Sequence, residues 1–293
     1  MLLGYFYAFM ASVGLSLYLL PRKFSTLSPA AYTMVFGVGF FVTSVLYRLL
    51  SAKSAALTSP LLFFNLLGGV LWMIGFACFT TAIDRIGLSR SSQWRNLRGP
   101  FGIILSLWLL SEHKEIDVFS TALAAALVFF SATLFSIRKD SEKKFDMLGI
   151  YLAVIAGLMF AIHWVILRYV STGAVEASAQ QLCFSTGLVL SGILYCRVMD
   201  KKSAAFKDTL SMNRLMPLLA GAMYFATTLF QIFSVQILPS SIALTVAQLN
   251  AIWTVLIGIL IFKEIDTKKH WARISFGLTF AGISIAVLFF GMK

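Results

Sequence analysis

The chain has 293 residues, of which 59% are hydrophobic and 12% are charged. Soluble domains carry about 25% charged residues, so this composition excludes an ordinary water-soluble globular protein. The formal net charge of +12 does not indicate nucleic-acid binding, because the basic residues are scattered among short connections, where such residues set membrane topology.

Ten apolar segments follow one another along the chain, and a helix needs about 20 apolar residues to cross the hydrocarbon core. None of the segments alternates polar and apolar residues as a barrel strand does. The sequence therefore predicts an all-α, multi-pass integral membrane protein with ten transmembrane helices, in the cell membrane if the organism is prokaryotic. The predicted spans are 3–20, 29–50, 61–83, 87–111, 117–137, 147–168, 178–198, 214–236, 238–263 and 270–291.

The third and fourth segments carry the first candidate residues for a substrate site. Trp72 lies near the middle of the third segment, and Arg95 and Arg98 lie in the otherwise apolar fourth segment. At 1.5 Å per residue from Gly87, Arg98 is roughly 16 Å into its helix. A cation at that depth costs at least about 2.5–3.5 kcal/mol, so Arg98 is expected to face a wet cavity or the bundle interior. Three neighbours join the candidate site: Gln93, Trp94 and Asn96.

Two other roles remain open for the arginines of the fourth segment. Arg90 is about one turn from the helix end, where its side chain reaches the interface. Arg98 has a structural alternative, which is to bind carbonyl groups freed around Gly99 and Pro100, because proline removes a backbone donor.

The sixth segment contains His163 near its end. A histidine there is placed either to hydrogen-bond a neighbour or to exchange a proton, so His163 is the candidate for proton coupling. The other histidines, His113 and His270, lie in separate segments and form no catalytic cluster with it. The sequence therefore predicts no enzyme and no catalytic residue, and we expect no metal and no cofactor.

The eighth and ninth segments carry a second set of candidates. Tyr224 lies in the eighth segment, and Gln248, Asn250 and Trp253 lie in the ninth. Aromatic faces beside amide donors suit sugars, nucleosides or aromatic amino acids. Each aromatic residue taken alone is more often a packing residue.

The two halves of the chain repeat each other. Residues 86–112 and 238–264 both begin with a serine-rich turn and end in an apolar run closed by Glu112 or Glu264. In this register Arg98 matches Asn250, and Trp72 matches Tyr224. Since five spans per copy reverse the second copy in the membrane, the sequence predicts two inverted five-helix units, 1–146 and 147–293.

This layout resembles the drug/metabolite transporter superfamily and its EamA-type repeat. The resemblance rests on the 5+5 arrangement, the Gly87-Leu88-Ser89 and Leu238-Pro239-Ser240-Ser241 turns, and the terminal glutamates. It is also similar to the glucose/ribose porter group, which has ten spans. The resemblance implies transport of amino acids, sugars, nucleotide derivatives or similar metabolites. Small multidrug members use a membrane-embedded carboxylate, whereas all twelve acidic residues here are predicted at helix ends or in loops.

We therefore predict a secondary transporter that moves a small polar metabolite, such as an amino acid, sugar or organic anion, by alternating access. The alternative is a glucose/ribose-type sugar uptake permease, and a membrane-embedded transferase or a channel comes after it. The predicted partners are a small-molecule substrate and the lipid bilayer, with no nucleic acid, and the protein is a monomer or homodimer. The distribution of Lys and Arg places both termini outside the cytoplasm, whereas the resemblance implies that both termini are cytoplasmic. The orientation in the membrane therefore stays open.

Overall fold

The computed structural model describes residues 1–51, 59–86, 91, 94–114, 116–134, 146–173, 175–199, 212–260 and 267–290. All regular secondary structure within these ranges is helical. The α-helices are α1 (Leu2–Leu17), α2 (Pro29–Leu50), α3 (Leu61–Ile86), α4 (Arg98–Leu109), α5 (Val118–Leu134), α6 (Met147–Thr172), α7 (Ala177–Met199), α8 (Met212–Ile237), α9 (Ser240–Ala247), α10 (Asn250–Leu260) and α11 (Thr267–Phe290). Two short 3₁₀ helices lie at Leu20–Phe24, after α1, and at Glu112–Lys114, after α4.

Six helical segments of the described chain are long and apolar enough to cross a membrane. They are Leu2–Arg22, Pro29–Leu50, Leu61–Ile86, Met147–Thr172, Ala177–Met199 and Arg214–Ile237. Two shorter apolar helices, Arg98–Leu109 and Val118–Leu134, lie between the third and fourth of these. The prediction of an all-α, multi-pass integral membrane protein is confirmed.

Local sequence explains where two of the long helices begin. At α2, the Ser28 hydroxyl accepts a hydrogen bond from the Ala31 amide, and Pro29 occupies the first helical position, where its missing N–H costs nothing. At α6, the Asp146 carboxylate accepts from the Gly149 amide and from Arg85. The hydrogen bond from Arg85 and that from the helix amide both hold the pKa of Asp146 below its usual value.

The fourth and ninth predicted segments are each interrupted near the middle, where the sequence predicted one continuous helix. Asn96–Leu97 form a turn before α4, and Gln248–Leu249 form a turn between α9 and α10. The chain continues through both turns by i→i+3 hydrogen bonds, with Leu97 N–H donating to the Trp94 carbonyl (3.2 Å) and Leu249 N–H to Val246 (3.0 Å). A 3₁₀ stretch inside a helix often marks a hinge.

The two halves of the chain interleave. Helix α3 packs against α6 and α7, while α8 packs against α1 and α2. Helix α4 packs on α6, and the segment α9–α10 packs on α1. Helix α2 also contacts α7, and α5 contacts α11. The core therefore consists mostly of contacts between the first and second halves.

Four glycines bring helix backbones together in this core. A β-carbon at any of them would lie under 3.0 Å from the backbone of the facing helix, which only a glycine avoids. The close pairs are Gly39 with Leu218, Gly187 with Leu66, Gly69 with Phe184, and Gly221 with Phe36. These contacts hold α2, α3, α7 and α8 together around the aromatic centre of the bundle.

Candidate substrate site at the centre of the bundle

Aromatic rings from four helices meet at the centre of the bundle. The Trp72 and Tyr224 rings have centroids 4.6 Å apart, and Tyr18 lies 4.7 Å from Tyr224. Phe36 stacks on Trp72 at 5.5 Å with an interplanar angle of 10°. All four side chains are buried. Trp72 and Tyr224, which the predicted repeat aligns with each other, are thus in direct contact.

Both predicted arginines border these rings. Arg95 is buried, its guanidinium carbon lies 4.3 Å from the centroid of Phe79, and it interacts electrostatically with Tyr18 and Tyr224. Arg98 is half-buried as a residue and interacts electrostatically with Arg95, Tyr18 and Tyr224. The Nε atom of Arg95 and the Nη2 atom of Arg98 are buried without hydrogen-bond partners.

His163 joins this group from α6. Its ring stacks on Phe184 with centroids 4.6 Å apart, and a β-carbon at Gly68 would lie 3.3 Å from its Nδ1 atom. Arg98 is close enough for electrostatic interaction. The imidazole is buried, and neither ring nitrogen has a hydrogen-bond partner. We refer to Tyr18, Trp72, Arg95, Arg98, His163 and Tyr224 as the central cluster.

The second interrupted segment meets the first beside the central cluster. Gln248 is buried, and its side-chain amide lies directly against Gly99, where a β-carbon would overlap it. The Nε2 atom of Gln248 has no partner. Asn250 is also buried, and its backbone carbonyl accepts a hydrogen bond from Ser16 Oγ at 2.7 Å. Gln248 therefore adds a free donor next to Arg98.

The remaining predicted site residues lie elsewhere. Trp94 is 38% exposed. Trp253 packs edge-on against Phe9 at 5.4 Å and donates from Nε1 to Ser12 Oγ at 3.0 Å, so it belongs to the contact with α1. Asn96 is half-buried within its turn. Gln93, like Arg90 and Glu264, lies outside the described residues.

Sequence reasoning missed several buried polar residues near the centre. Tyr18, whose ring lies 4.7 Å from that of Tyr224, is not among the predicted site residues. Asn65 is 1% exposed and its Nδ2 atom has no partner. Gln181 Nε2 donates to Thr228 Oγ1 at 2.8 Å between α7 and α8. Such residues lacked a distinguishing pattern, because single amides and hydroxyls are common in apolar helices.

Comparison with known proteins is decisive for the class of function. The family model for sugar transport proteins matches residues 24–291. The chain belongs to the sugar transport protein family. It is therefore a transporter, and its multi-pass location in the membrane and its small-molecule substrate follow from the family and the apolar helices together.

Individual relatives agree with this assignment. A probable glucose uptake protein GlcU from Bacillus cereus is 25% identical over 245 residues, which cover 79% of this chain and 81% of that protein. The protein of the same name from Bacillus anthracis matches to the same extent. A solved crystal structure resembles this fold with a TM-score of 0.76, covering 98% of this chain and 96% of its own at 12% identity.

The transporter has a second buried group of charged residues, at the end of the bundle where α8 passes into α9. The Glu112 carboxylate accepts from the amides of Ser240 and Ser241 and from the Ser241 hydroxyl (2.6 Å). Arg168 Nε lies 3.9 Å from the carboxylate, and its Nη1 donates to the Val235 carbonyl. We call Glu112, Arg168, Val235, Ser240 and Ser241 the Glu112 network.

The Glu112 network has a structural role that its bonds explain. A carboxylate at a helix N-terminus satisfies amides that have no partner within the helix and interacts favourably with the helix dipole. Glu112 supplies this cap for α9 from a distant part of the chain. The side chain of Arg168 is only 16% exposed, and it lies beside Glu112.

Proposed function

We propose that this protein is a sugar transporter that works by alternating access, with the central cluster as its substrate site. The observation that carries the proposal is a set of buried hydrogen-bonding atoms without partners beside packed aromatic rings. They are Arg95 Nε, Arg98 Nη2, Gln248 Nε2 and both ring nitrogens of His163. A buried polar group without a partner costs about 1–3 kcal/mol, which a polar ligand recovers on binding.

The chemistry of a sugar suits these groups. Its hydroxyls accept hydrogen bonds from the arginine and glutamine donors, and a neutral imidazole both donates and accepts. Its apolar ring face packs against aromatic rings such as Trp72 and Tyr224. The names of the glucose uptake relatives point in the same direction. Arg98 is the principal residue in this proposal, with Gln248 and Asn250 as neutral partners from the second half.

We further propose that 1–146 and 147–293 are inverted five-helix units, with ten membrane-crossing segments in total and a place in the drug/metabolite transporter superfamily. The glycine contacts support the inverted units. Gly187 lies 148 residues after Gly39 (187 − 39), and Leu218 lies 152 after Leu66 (218 − 66). The contact of Gly39 with Leu218 thus corresponds to that of Gly187 with Leu66.

Three further correspondences support the inverted units. Applying the same two offsets converts the contact of Gly69 with Phe184 into that of Gly221 with Phe36. Both interrupted segments turn at equivalent positions, Asn96–Leu97 and Gln248–Leu249. The contacts of α3 with α6 and α7 have counterparts in those of α8 with α1 and α2. A shared break at mid-segment is where inverted-repeat transporters bind substrate.

Uptake into proteoliposomes tests the proposed function. We expect labelled D-glucose or another sugar to enter with saturable kinetics, whereas a channel would give flux that rises linearly with concentration. Trp72→Phe is expected to raise the apparent KM, because the smaller ring covers less of the sugar. Trp271→Phe is the matched control, since Trp271 is 67% exposed on α11. Equal kinetics in the two variants would remove Trp72 from the site.

Proton coupling through His163 stays a prediction. His163→Gln keeps a hydrogen-bond donor and acceptor but cannot carry a proton. If His163 couples transport to protons, this variant will retain sugar exchange between the two sides of the membrane while losing accumulation driven by a pH gradient. Gradient-driven accumulation at the wild-type level would show that His163 is a binding residue only.

A further inference from the structure

The two arginines of the central cluster have no counter-charge among the residues that the structure describes. Arg95 lies over the Phe79 ring and near Tyr18 and Tyr224, none of which carries a charge that offsets it. The charged neighbour of Arg98 is Arg95 itself. Two like charges in a buried site repel each other, and no carboxylate in the described ranges offsets them.

Three other arginines of the described residues do have an acidic partner. Arg48 lies 3.1 Å from Glu176, Arg85 lies 2.8 Å from Asp146, and Arg168 lies 3.9 Å from Glu112. Even Arg85, which is 43% exposed, has an acidic partner. The pair at the centre, in which Arg95 is buried and Arg98 is half-buried, lacks such a partner among the described residues.

A neutral sugar would leave this imbalance in place. Hydroxyl groups satisfy donors such as Arg98 Nη2 but bring no charge into the site, and a buried charge without compensation is strongly unfavourable. A carboxylate supplies a negative charge and two oxygen atoms whose planar arrangement matches a guanidinium fork. Charge-assisted bonds of this kind are roughly twice as strong as neutral ones.

We propose that the preferred substrate is a sugar that carries a carboxylate, such as an aldonate or a uronate, and that Arg95 and Arg98 bind this carboxylate. The inference rests on the proposed sugar transport through the central cluster. Arg98 Nη2 and Arg95 Nε donate to the carboxylate oxygens. Gln248 and His163 then face the hydroxyl groups, while Trp72 packs against the apolar face of the ring.

A carboxylate fits better than a phosphate ester. A phosphate monoester carries about −1.5 to −2 charges at neutral pH and a larger hydration shell, which must be removed in a site built from aromatic rings. A single carboxylate can accept from both guanidinium groups through its two oxygen atoms and has less hydration to lose. Sugar phosphates therefore form a separate arm of the test.

The experiment compares matched ligands that differ in charge. Uptake of labelled D-glucose and D-glucuronate into proteoliposomes is measured in parallel, with D-gluconate and D-glucose 6-phosphate as competitors. We expect D-glucuronate to have an apparent affinity at least about tenfold higher than that of D-glucose. Arg98→Gln is expected to weaken D-glucuronate about ten- to a hundredfold, the loss of a charge-assisted contact, and to weaken D-glucose by a smaller factor, because glutamine still donates a hydrogen bond to a hydroxyl. Arg85→Gln is the control for losing a positive charge elsewhere.

Each outcome decides one of the two proposals. If D-glucose is taken up as well as or better than both sugar acids, the carboxylate inference is wrong and sugar transport stands. Preference for D-glucose 6-phosphate would overturn the choice of carboxylate in favour of phosphate. If none of the neutral or acidic sugars, including D-ribose, is bound or transported by the folded wild-type protein, both the inference and the proposed function fail.

Discussion

The central cluster and the Glu112 network are both buried and both contain arginine, but they treat their polar atoms differently. In the Glu112 network, the carboxylate accepts three hydrogen bonds from Ser240 and Ser241, and Arg168 has both an acidic neighbour and a carbonyl acceptor. In the central cluster, donors of Arg95 and Arg98 end without partners. The first arrangement is complete without a ligand, and the proposed substrate would complete the second.

This difference distinguishes the structural charges of the Glu112 network from the candidate functional charges of the central cluster, although both groups contain arginine. A fully bonded buried network fixes the helices that contribute to it, and removing one member leaves the others unsatisfied. A half-bonded group destabilises the protein unless something else binds there. Functional residues in this transporter are therefore best sought among buried polar atoms without partners.

The largest expected effect is that of Glu112→Ala. The substitution leaves two amides of α9 without their acceptor and Arg168 without its acidic neighbour, and breaking a buried ion pair costs about 3–5 kcal/mol. We expect a clear fall in the midpoint of thermal unfolding of the detergent-solubilised protein. Asp146→Asn is the control, because the Arg85–Asp146 pair is exposed and exposed pairs contribute little. Equal midpoints for the two variants would contradict the structural role of Glu112.

Arg98→Ala is expected to act on transport rather than on folding. Loss of a charge-assisted contact costs about 1.5–3 kcal/mol of binding, or about ten- to a hundredfold in apparent affinity. Arg98→Lys is expected to restore little, because lysine keeps the charge but not the planar fork. The measurement is the KM for D-glucuronate uptake at matched expression, with Arg85→Ala as the control. Wild-type kinetics in Arg98→Ala would remove Arg98 from the mechanism.

The glycine contacts predict a pair of similar, smaller effects. Gly69→Ala and Gly221→Ala each force a methyl group into a facing backbone, and such overpacking typically costs about 1–3 kcal/mol. If the two positions are equivalent by repeat symmetry, their losses of stability will be alike. Gly282→Ala is the matched control, since no atom lies within 4 Å of the added carbon. A loss in only one of the first two variants would weaken the case for inverted units.

The smallest expected effect concerns Trp94. The sequence predicted it in the substrate site, but its side chain is 38% exposed. We expect Trp94→Phe to change KM by less than about twofold, within the usual range of a surface substitution. A KM as high as that of Trp72→Phe would restore Trp94 to the site.

The long helices were well predicted from sequence, and the interruptions were not. The predicted span 29–50 coincides with α2, because Ser28 and Pro29 form a start signal that the sequence displays. The turn at Asn96–Leu97 has a partial signal in Pro100, which lacks an N–H. The turn at Gln248–Leu249 has none, since Ala251 and Ile252 stand where the first half has Gly99 and Pro100. Packing against the other half decides that turn.

The candidate site was predictable from sequence at positions where the repeat correspondence and the depth of a charged or aromatic residue pointed to the same place. Arg98, Trp72 and Tyr224 were identified from their depth and from their matching positions. Trp94 is exposed and lies apart from the central cluster, because residues four apart share a face only on a continuous helix and the turn at Asn96–Leu97 separates it from Arg98. Glu112 was predicted only as the end of a repeat, since its acceptor role depends on Ser240 and Ser241, more than 120 residues away.

The claim that the central cluster binds substrate while the Glu112 network holds the fold is tested most directly by ligand-induced stabilisation. Thermal unfolding of the wild type, Arg98→Gln and Glu112→Gln is measured with and without D-glucuronate and D-glucose at saturating concentrations. We predict that Arg98→Gln keeps the ligand-free midpoint and loses most of the upward shift with D-glucuronate, while Glu112→Gln lowers the ligand-free midpoint and keeps the shift. The opposite pattern, or loss of both properties in both variants, would contradict the account.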